Sequence, residues 1–388
     1  MRFPVAFLIL SATALAQRPD SAFMKKSVFE DLPSAVVAND KLELTVLTHG
    51  GAMVNLVLSD DARKVSPLWN PIRLAHETGQ KNIFGPSTGH FVCVDGFGPV
   101  SAEEQAAGLP GHGEAYEQPW NLAHYGKEGN TATISFSVHL PIVQESFTRT
   151  LRLVDGESVV YVESQLESAL GFDRPVCWAE HATIGAPFLQ PGVTAIDMPA
   201  RRAKTRPHEP EEGSDLQFRL ASGKDFTWPM APALNGGSLD MRVSPKDAGW
   251  GDHTTCLLNP ERDLVFVTAL NPEKKLLLGY LFRREDFPWL QSWEYYPRSG
   301  AWARGIEFST QPFDVPRRQA IQLNSMFDAP TYRWLPAKSK IGSRFLMFYT
   351  HTPEGMHRVD DVQWKNGQLI IEDRAAGKQI TLAASIPL

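Results

Sequence analysis

Four short stretches of this chain place residues able to move protons in otherwise apolar company. His112 lies between two glycines in "GLPGHGEAYEQPW", with Glu114 two residues on. Glu180 and His181 interrupt the apolar run "PVCWAEHATIGAPFL". Asp252 and His253 stand just before a strand in "WGDHTTCLL", and Glu307 sits mid-strand in "RGIEFSTQPFD". A buried carboxylate is costly unless it is paired or put to use. In a partly dry cleft its pKa rises and it becomes a competent base. Histidine gives or takes a proton near neutrality. Such a kit suits acid/base work on a small polar substrate.

Each stretch also has a plain structural reading. His112 can cap a surface loop, His181 can be a satisfied core histidine, and Asp252 can cap a turn. Neighbours in a strand point to opposite faces, so only one of Glu180 and His181 can enter a shared cleft. If its segment is extended, Glu114 shares the face of His112. Trp120, Trp178, Trp250, Trp293 and Trp302 all fall near the four stretches. Flat aromatic faces of this kind suit the apolar C–H patches of sugar rings.

The elements that must carry these residues read as strands. "KLELTVLTHGGAMVNLVLS" alternates, turns at Gly50-Gly51 and resumes. "ESFTRTLRLVDGESVVYVESQLES" is two strands joined at Asp155-Gly156. Many further short strands, together with 29 Gly and 29 Pro, predict an all-β sandwich or barrel. Helix signals are few. Ser101 with Glu104 forms a capping-box pattern over "SAEEQAAG". "RRAKTRPHEPEEGSD" is polar and Pro-broken and reads as a loop. No repeat or dividing linker is visible, so residues 17–388 read as one domain, with the C-terminal strands completing the same sandwich.

A net charge of -6 leaves no basic excess to hold phosphate backbones, so nucleic acid is not an expected partner. "MRFPVAFLILSATALAQ" has Arg2, an apolar run and Ala14-Leu15-Ala16 in the order of a cleaved export signal. That predicts removal near Ala16 and a secreted or periplasmic protein. The run is too short for a bilayer span. Cys93, Cys177 and Cys256 are too few for a disulfide framework and read chiefly as core residues, though one pair could form. No C-x-x-C or H-E-x-x-H occurs, and a metal set of His112, Glu114 and His181 lacks ligand spacing.

Taken in order, "HGGAMVNLVL", "HGEAYEQPW", "EHATIGAPFL", "GDHTTCLL" and "RGIEFSTQPFD" resemble the aldose 1-epimerase (galactose mutarotase-like) family, from roughly Asn39 to Asp328. The resemblance implies a large antiparallel β-supersandwich with few short helices. It implies exchange of the α and β anomers of a free sugar, with no cofactor and no metal. By the same resemblance Glu307 is the general base, His181 the general acid, and His112 the second histidine near the ring oxygen. Asp252 then binds sugar hydroxyls. Typical members follow the first His-Gly with an arginine that grips the sugar, whereas here Glu114-Ala115-Tyr116 follow. Arg298 or Arg304 is the candidate replacement. Glu114, Arg304 and Trp302 complete the expected substrate-binding set. The competing readings are a non-catalytic carbohydrate-binding protein, which needs no proton-transfer pair, and a polysaccharide hydrolase or lyase, which needs a long groove.

Overall fold

The structure is a computed structural model and describes residues 24–79, 81–208, 216–298, 300 and 302–388. The export-signal reading therefore lies outside the described residues. Within them the regular structure is almost entirely antiparallel sheet, with three short α-helices. A fourteen-stranded sheet faces an eight-stranded one. The alternation of the sequence decides what lies between them. In the strand Trp178–Gly185 of the large sheet, Trp178, Ala182 and Ile184 enter the core between the sheets. On the eight-stranded side, Val160 and Val162, Val265 and Val267, and Phe345 and Met347 meet them. A period of two thus sorts each strand into a core face and an outer face.

The hairpin turns fall where expected. Leu42–Leu47 pairs with Met53–Leu58 across Gly50 and Gly51, both with positive φ. Glu145–Val154 pairs with Val159–Ser168 across Asp155-Gly156. Ser101 caps the helix Ala102–Ala106 in a complete capping box with Glu104. The three cysteines are buried and unbridged.

Two expectations are corrected. The polar "RRAKT" is not loop: Ala200–Thr205 is a strand paired with His253–Leu258. Ala203 and Thr205 are buried, while Arg201 and Arg202 are exposed. Polar composition concealed a strand with one wet side. Of the C-terminal strands, Lys340–His351 does complete the eight-stranded sheet, but Asp361–Lys365, Gln368–Asp373 and Lys378–Ala383 extend neither large sheet. They form a three-stranded sheet whose Val362, Leu369 and Ile371 pack on Val159, Tyr161, Phe266, Leu277 and Phe348. Those residues are the outer-face alternates of the eight-stranded sheet. Covering them makes a third layer and explains why these strands are apolar on both sides.

Candidate active site

Five neighbouring strands of the large sheet build one site on its outer face. His90–Val94 pairs with Trp178–Gly185, which pairs with Glu307–Ser309. Trp289–Tyr295 comes next, then His253–Leu258. Register fixes who meets whom. His181 lies opposite Phe91, Glu307 opposite Gln291, and His253 opposite Trp293. Glu180 is opposite Phe308, so one step along the same ladder brings His181 beside Glu307. Segments more than a hundred residues apart thus deliver their side chains to one face.

His181 Nε2 lies 3.4 Å from Glu307 Oε1, with both side chains nearly buried. His181 Nδ1 is 3.1 Å from Thr183 Oγ1, and its ring stacks on Phe91 with centroids 4.2 Å apart. Glu307 has room because residue 305 is glycine: a Cβ there would meet Glu307 Oε1 at 2.0 Å. His112 arrives from a loop and sits 5.3 Å, ring to ring, from His181. Its backbone holds φ near +65°, a costly conformation for a residue with a side chain. The backbone of Gly98 donates to His112 Nδ1 at 3.3 Å, which leaves Nε2 to carry the ring proton. The glycine after it serves packing and not a ligand, since a Cβ on Gly113 would strike the Val94 carbonyl.

These groups line a cavity of about 220 Å³ together with Trp69, Phe84, Ser87, Phe97, His253, Trp293 and Asp314. That is below the roughly 300–1,000 Å³ of pockets for drug-sized ligands, so the cavity suits a single small ring. Trp69, Phe84 and Trp293 meet edge to face in its wall. Burial dominates its electrostatics. It pushes Glu307 well above the usual carboxylate range, helped by the charge of Asp314 and opposed by Arg206. It pushes His181 well below the usual imidazole range, with repulsion from His112 adding to the effect. His112 and His253 are lowered by burial as well, against an opposing pull from Asp314. The dry pocket therefore favours neutral forms: protonated Glu307 beside neutral imidazole.

The structure brings His112, His181 and Glu307 together and turns four other expected residues away. Asp252 points to the core side, where its carboxylate accepts from the Arg219 and Leu220 backbones at 2.9 and 3.2 Å and from Arg219 Nε at 2.6 Å. One step of strand alternation separates it from His253, which takes the cavity place. Arg304 is also core-facing, pairing with Glu294 at 3.2 Å and donating to the carbonyl of Arg242 at 3.0 Å. Glu114 anchors a turn by accepting from the Ile142 and Val143 backbones, each at 3.0 Å. Trp302 packs on Tyr296 and donates to the Pro297 carbonyl at 3.2 Å. All four are buried. Asp252→Ala is therefore expected to act on folding first, lowering the urea midpoint by removing three hydrogen bonds from a buried site. Equilibrium unfolding followed by tryptophan fluorescence checks this.

Several cavity residues escaped sequence reasoning. Trp69 and Phe84 come from irregular segments with no local signature. Asp314 closes the very string that drew attention to Glu307, and Arg206 binds it through the carboxylate and, at 3.2 Å, through the backbone carbonyl. An acidic residue beside a proline-rich turn was the available signal.

No family model and no curated protein matches the sequence. Solved structures do match in shape. A galactose mutarotase-like protein from Clostridium acetobutylicum superposes with a TM-score of 0.58 at 11% identity, covering 85% of this chain and 98% of that one. A galactose mutarotase related enzyme from Lactobacillus acidophilus gives 0.56 at 14%, covering 83% and 99%. A galactose mutarotase-like protein from Lactobacillus casei gives 0.53 at 14%, covering 82% and 100%. This chain has the galactose mutarotase-like fold. The supersandwich that the resemblance implied is the observed architecture, and His112, His181 and Glu307 gather in a cavity on the outer face of its large sheet. No helix among the described residues of this galactose mutarotase-like chain is long and apolar enough to cross a membrane.

Proposed function

We propose that this protein is an exported aldose 1-epimerase-type isomerase that exchanges the α and β anomers of a free monosaccharide. The observation that carries the reading is the His181–Glu307 pair, 3.4 Å apart in a small aromatic-walled cavity. The two groups are adjacent, and hemiacetal chemistry suits adjacency. The hydroxyl that must lose a proton and the ring oxygen that must gain one are both bonded to C1.

The pair works while it holds one proton. In ring opening one member takes the anomeric hydroxyl proton as the C1–O1 double bond forms. The C1–O5 bond breaks, and the other member gives its proton to O5. The aldehyde turns its other face, and closure runs the same transfers backward, so each residue serves as acid in one direction and base in the other. With the single proton on Glu307, as burial favours, neutral His181 takes the hydroxyl proton and Glu307 gives its own to O5. The roles the resemblance implies, Glu307 as base and His181 as acid, belong to the same pair with its proton on His181. In either state His112 Nε2–H polarises the ring-oxygen region. Two apparent pKa values belong to such a pair jointly. We predict a bell-shaped kcat/KM. It falls at low pH when the pair takes a second proton and no base is left. It falls at high pH when the pair loses its last proton and no acid is left. Because burial lowers His181 and raises Glu307, the active window between the limbs is wide. Polarimetry of freshly dissolved α-glucose or α-galactose across pH tests this; a rate that rises monotonically with pH contradicts it.

The size of the cavity supports a monosaccharide over a polymer, which would need a long groove. Export follows from the N-terminal signal pattern and suits handling of sugars released outside the cytosol. N-terminal sequencing of the mature protein from a secreting host tests that point, with the cut expected near Ala16.

A further inference from the structure

We propose that His253 fixes the position of an uncharged sugar in the cavity by donating its Nε2–H to a sugar hydroxyl oxygen. The inference rests on the sugar-pocket reading, but not on catalysis. Arg206 Nη1 lies 3.1 Å from His253 Nδ1. A guanidinium only donates, so Nδ1 must accept, and the ring proton must sit on Nε2. Asp314 holds Arg206 in that place through its carboxylate and its backbone carbonyl. The Asp314 carboxylate stands at 3.4 Å from the same Nδ1, farther than the guanidinium, so Arg206 sets the tautomer.

His253 Nε2 is then a buried donor that makes no hydrogen bond in the protein; the Gln291 side chain comes near the ring, but its Oε1 accepts from the Asp314 backbone. Buried donors are almost always satisfied, so an orphan beside a cavity marks the place where a ligand atom belongs. His253 is 9% exposed, lines the cavity and is the register partner of Trp293. The donor thus stands at the rim of an aromatic wall, where a sugar ring presents hydroxyls. Glu307 Oε1, 3.4 Å from His181 Nε2 but without a hydrogen bond, is a second unsatisfied buried polar atom of the same cavity. Burial also disfavours a charged His253, which keeps the donor neutral. The described residues lining the cavity include two carboxyl groups and no lysine or arginine. A sugar phosphate or uronate would find Arg206 only outside that lining and already paired with Asp314, whereas a neutral polyhydroxylated ring matches the donors and acceptors present.

The test uses ligands that cannot react. 1,5-Anhydro-D-glucitol and 1,5-anhydro-D-galactitol lack the anomeric hydroxyl, and their binding to the full chain is measured by titration calorimetry. The wild type is expected to bind at least one. His253→Leu is expected to weaken Kd about tenfold, the worth of one hydrogen bond. His253→Gln, whose amide nitrogen reaches close to the Nε2 place, is expected to stay within about threefold of wild type. Imidazole ¹⁵N spectra provide a readout that stands on the wild type alone, which should show the Nε2–H tautomer; in addition, Arg206→Met should move it toward Nδ1–H. The proposal is overturned by unchanged affinity in His253→Leu, by equal losses in the Leu and Gln variants, by an Nδ1–H tautomer in the wild type, or by no binding of either anhydro sugar. Binding without anomer exchange would remove the isomerase reading and leave His253 in its role.

Discussion

Glu307→Gln is expected to lose about 10²–10⁴-fold in kcat for anomer exchange while keeping the fold, because it removes one of two proton-transfer groups and almost no volume. Stability should respond in the opposite sense. In the unfolded chain this carboxyl ionises at about 4.3. In the fold, burial and the charge of Asp314 hold its proton to a much higher pH. Between those values the unfolded state binds fewer protons, so stability falls as pH rises. The glutamine variant lacks that slope. Its melting temperature should therefore equal or exceed that of the wild type near neutral pH, and the gap should widen toward alkaline pH. A variant that is inactive because it is unfolded, or fully active, would refute the assignment.

Arg149→Met is expected to be the most destabilising of the substitutions considered, by about 3–5 kcal/mol, the usual cost of leaving one member of a buried ion pair uncompensated. Arg149 rises from the eight-stranded sheet and meets Glu180 of the large sheet at 2.6 Å in the core between them. Trp178 Nε1 and His90 Nε2 complete the carboxylate's shell at 3.1 and 2.9 Å. Burial opposes ionisation of Glu180, yet Arg149 and His90 outweigh it and hold the carboxyl below its ordinary range. The sign follows: its stabilisation is fully present above the unfolded carboxyl pKa and is lost as pH falls through the folded one. The double variant Arg149→Met with Glu180→Met should recover most of the loss, since an apolar pair of similar size often replaces a buried ion pair at little cost. Guanidinium unfolding of the two single variants, the double and the wild type completes the cycle. Additive losses would show that Arg149 and Glu180 do not act as a pair.

Strand alternation made the fold legible, because a sheet buried on one face writes its period into the sequence. It also predicted that only one of Glu180 and His181 could reach a cleft, and His181 is the one that does. The same rule explains the failures. Asp252 and His253 differ by one step of the strand, and nothing local says which step faces the cavity. Arg304 and Glu307 lie three apart and fall on opposite faces for the same reason. Glu114 was paired with His112 on the assumption of extended backbone; the left-handed φ at His112 breaks that face-sharing. Arg206, Trp69 and Phe84 reach the site by tertiary placement, which no short pattern encodes. The third layer was hidden because packing of a small sheet on an outer face looks, in sequence, like more of the same sandwich.

The direct test of the central claim is NMR exchange spectroscopy of α and β anomers of glucose and galactose, with the wild-type protein and with Glu307→Gln at equal concentration. Acid/base ring opening by the His181–Glu307 pair predicts that the wild type speeds exchange well beyond buffer for at least one free aldose and that the variant does not. Exchange at the buffer rate for every aldose, or equal acceleration by both proteins, would contradict it.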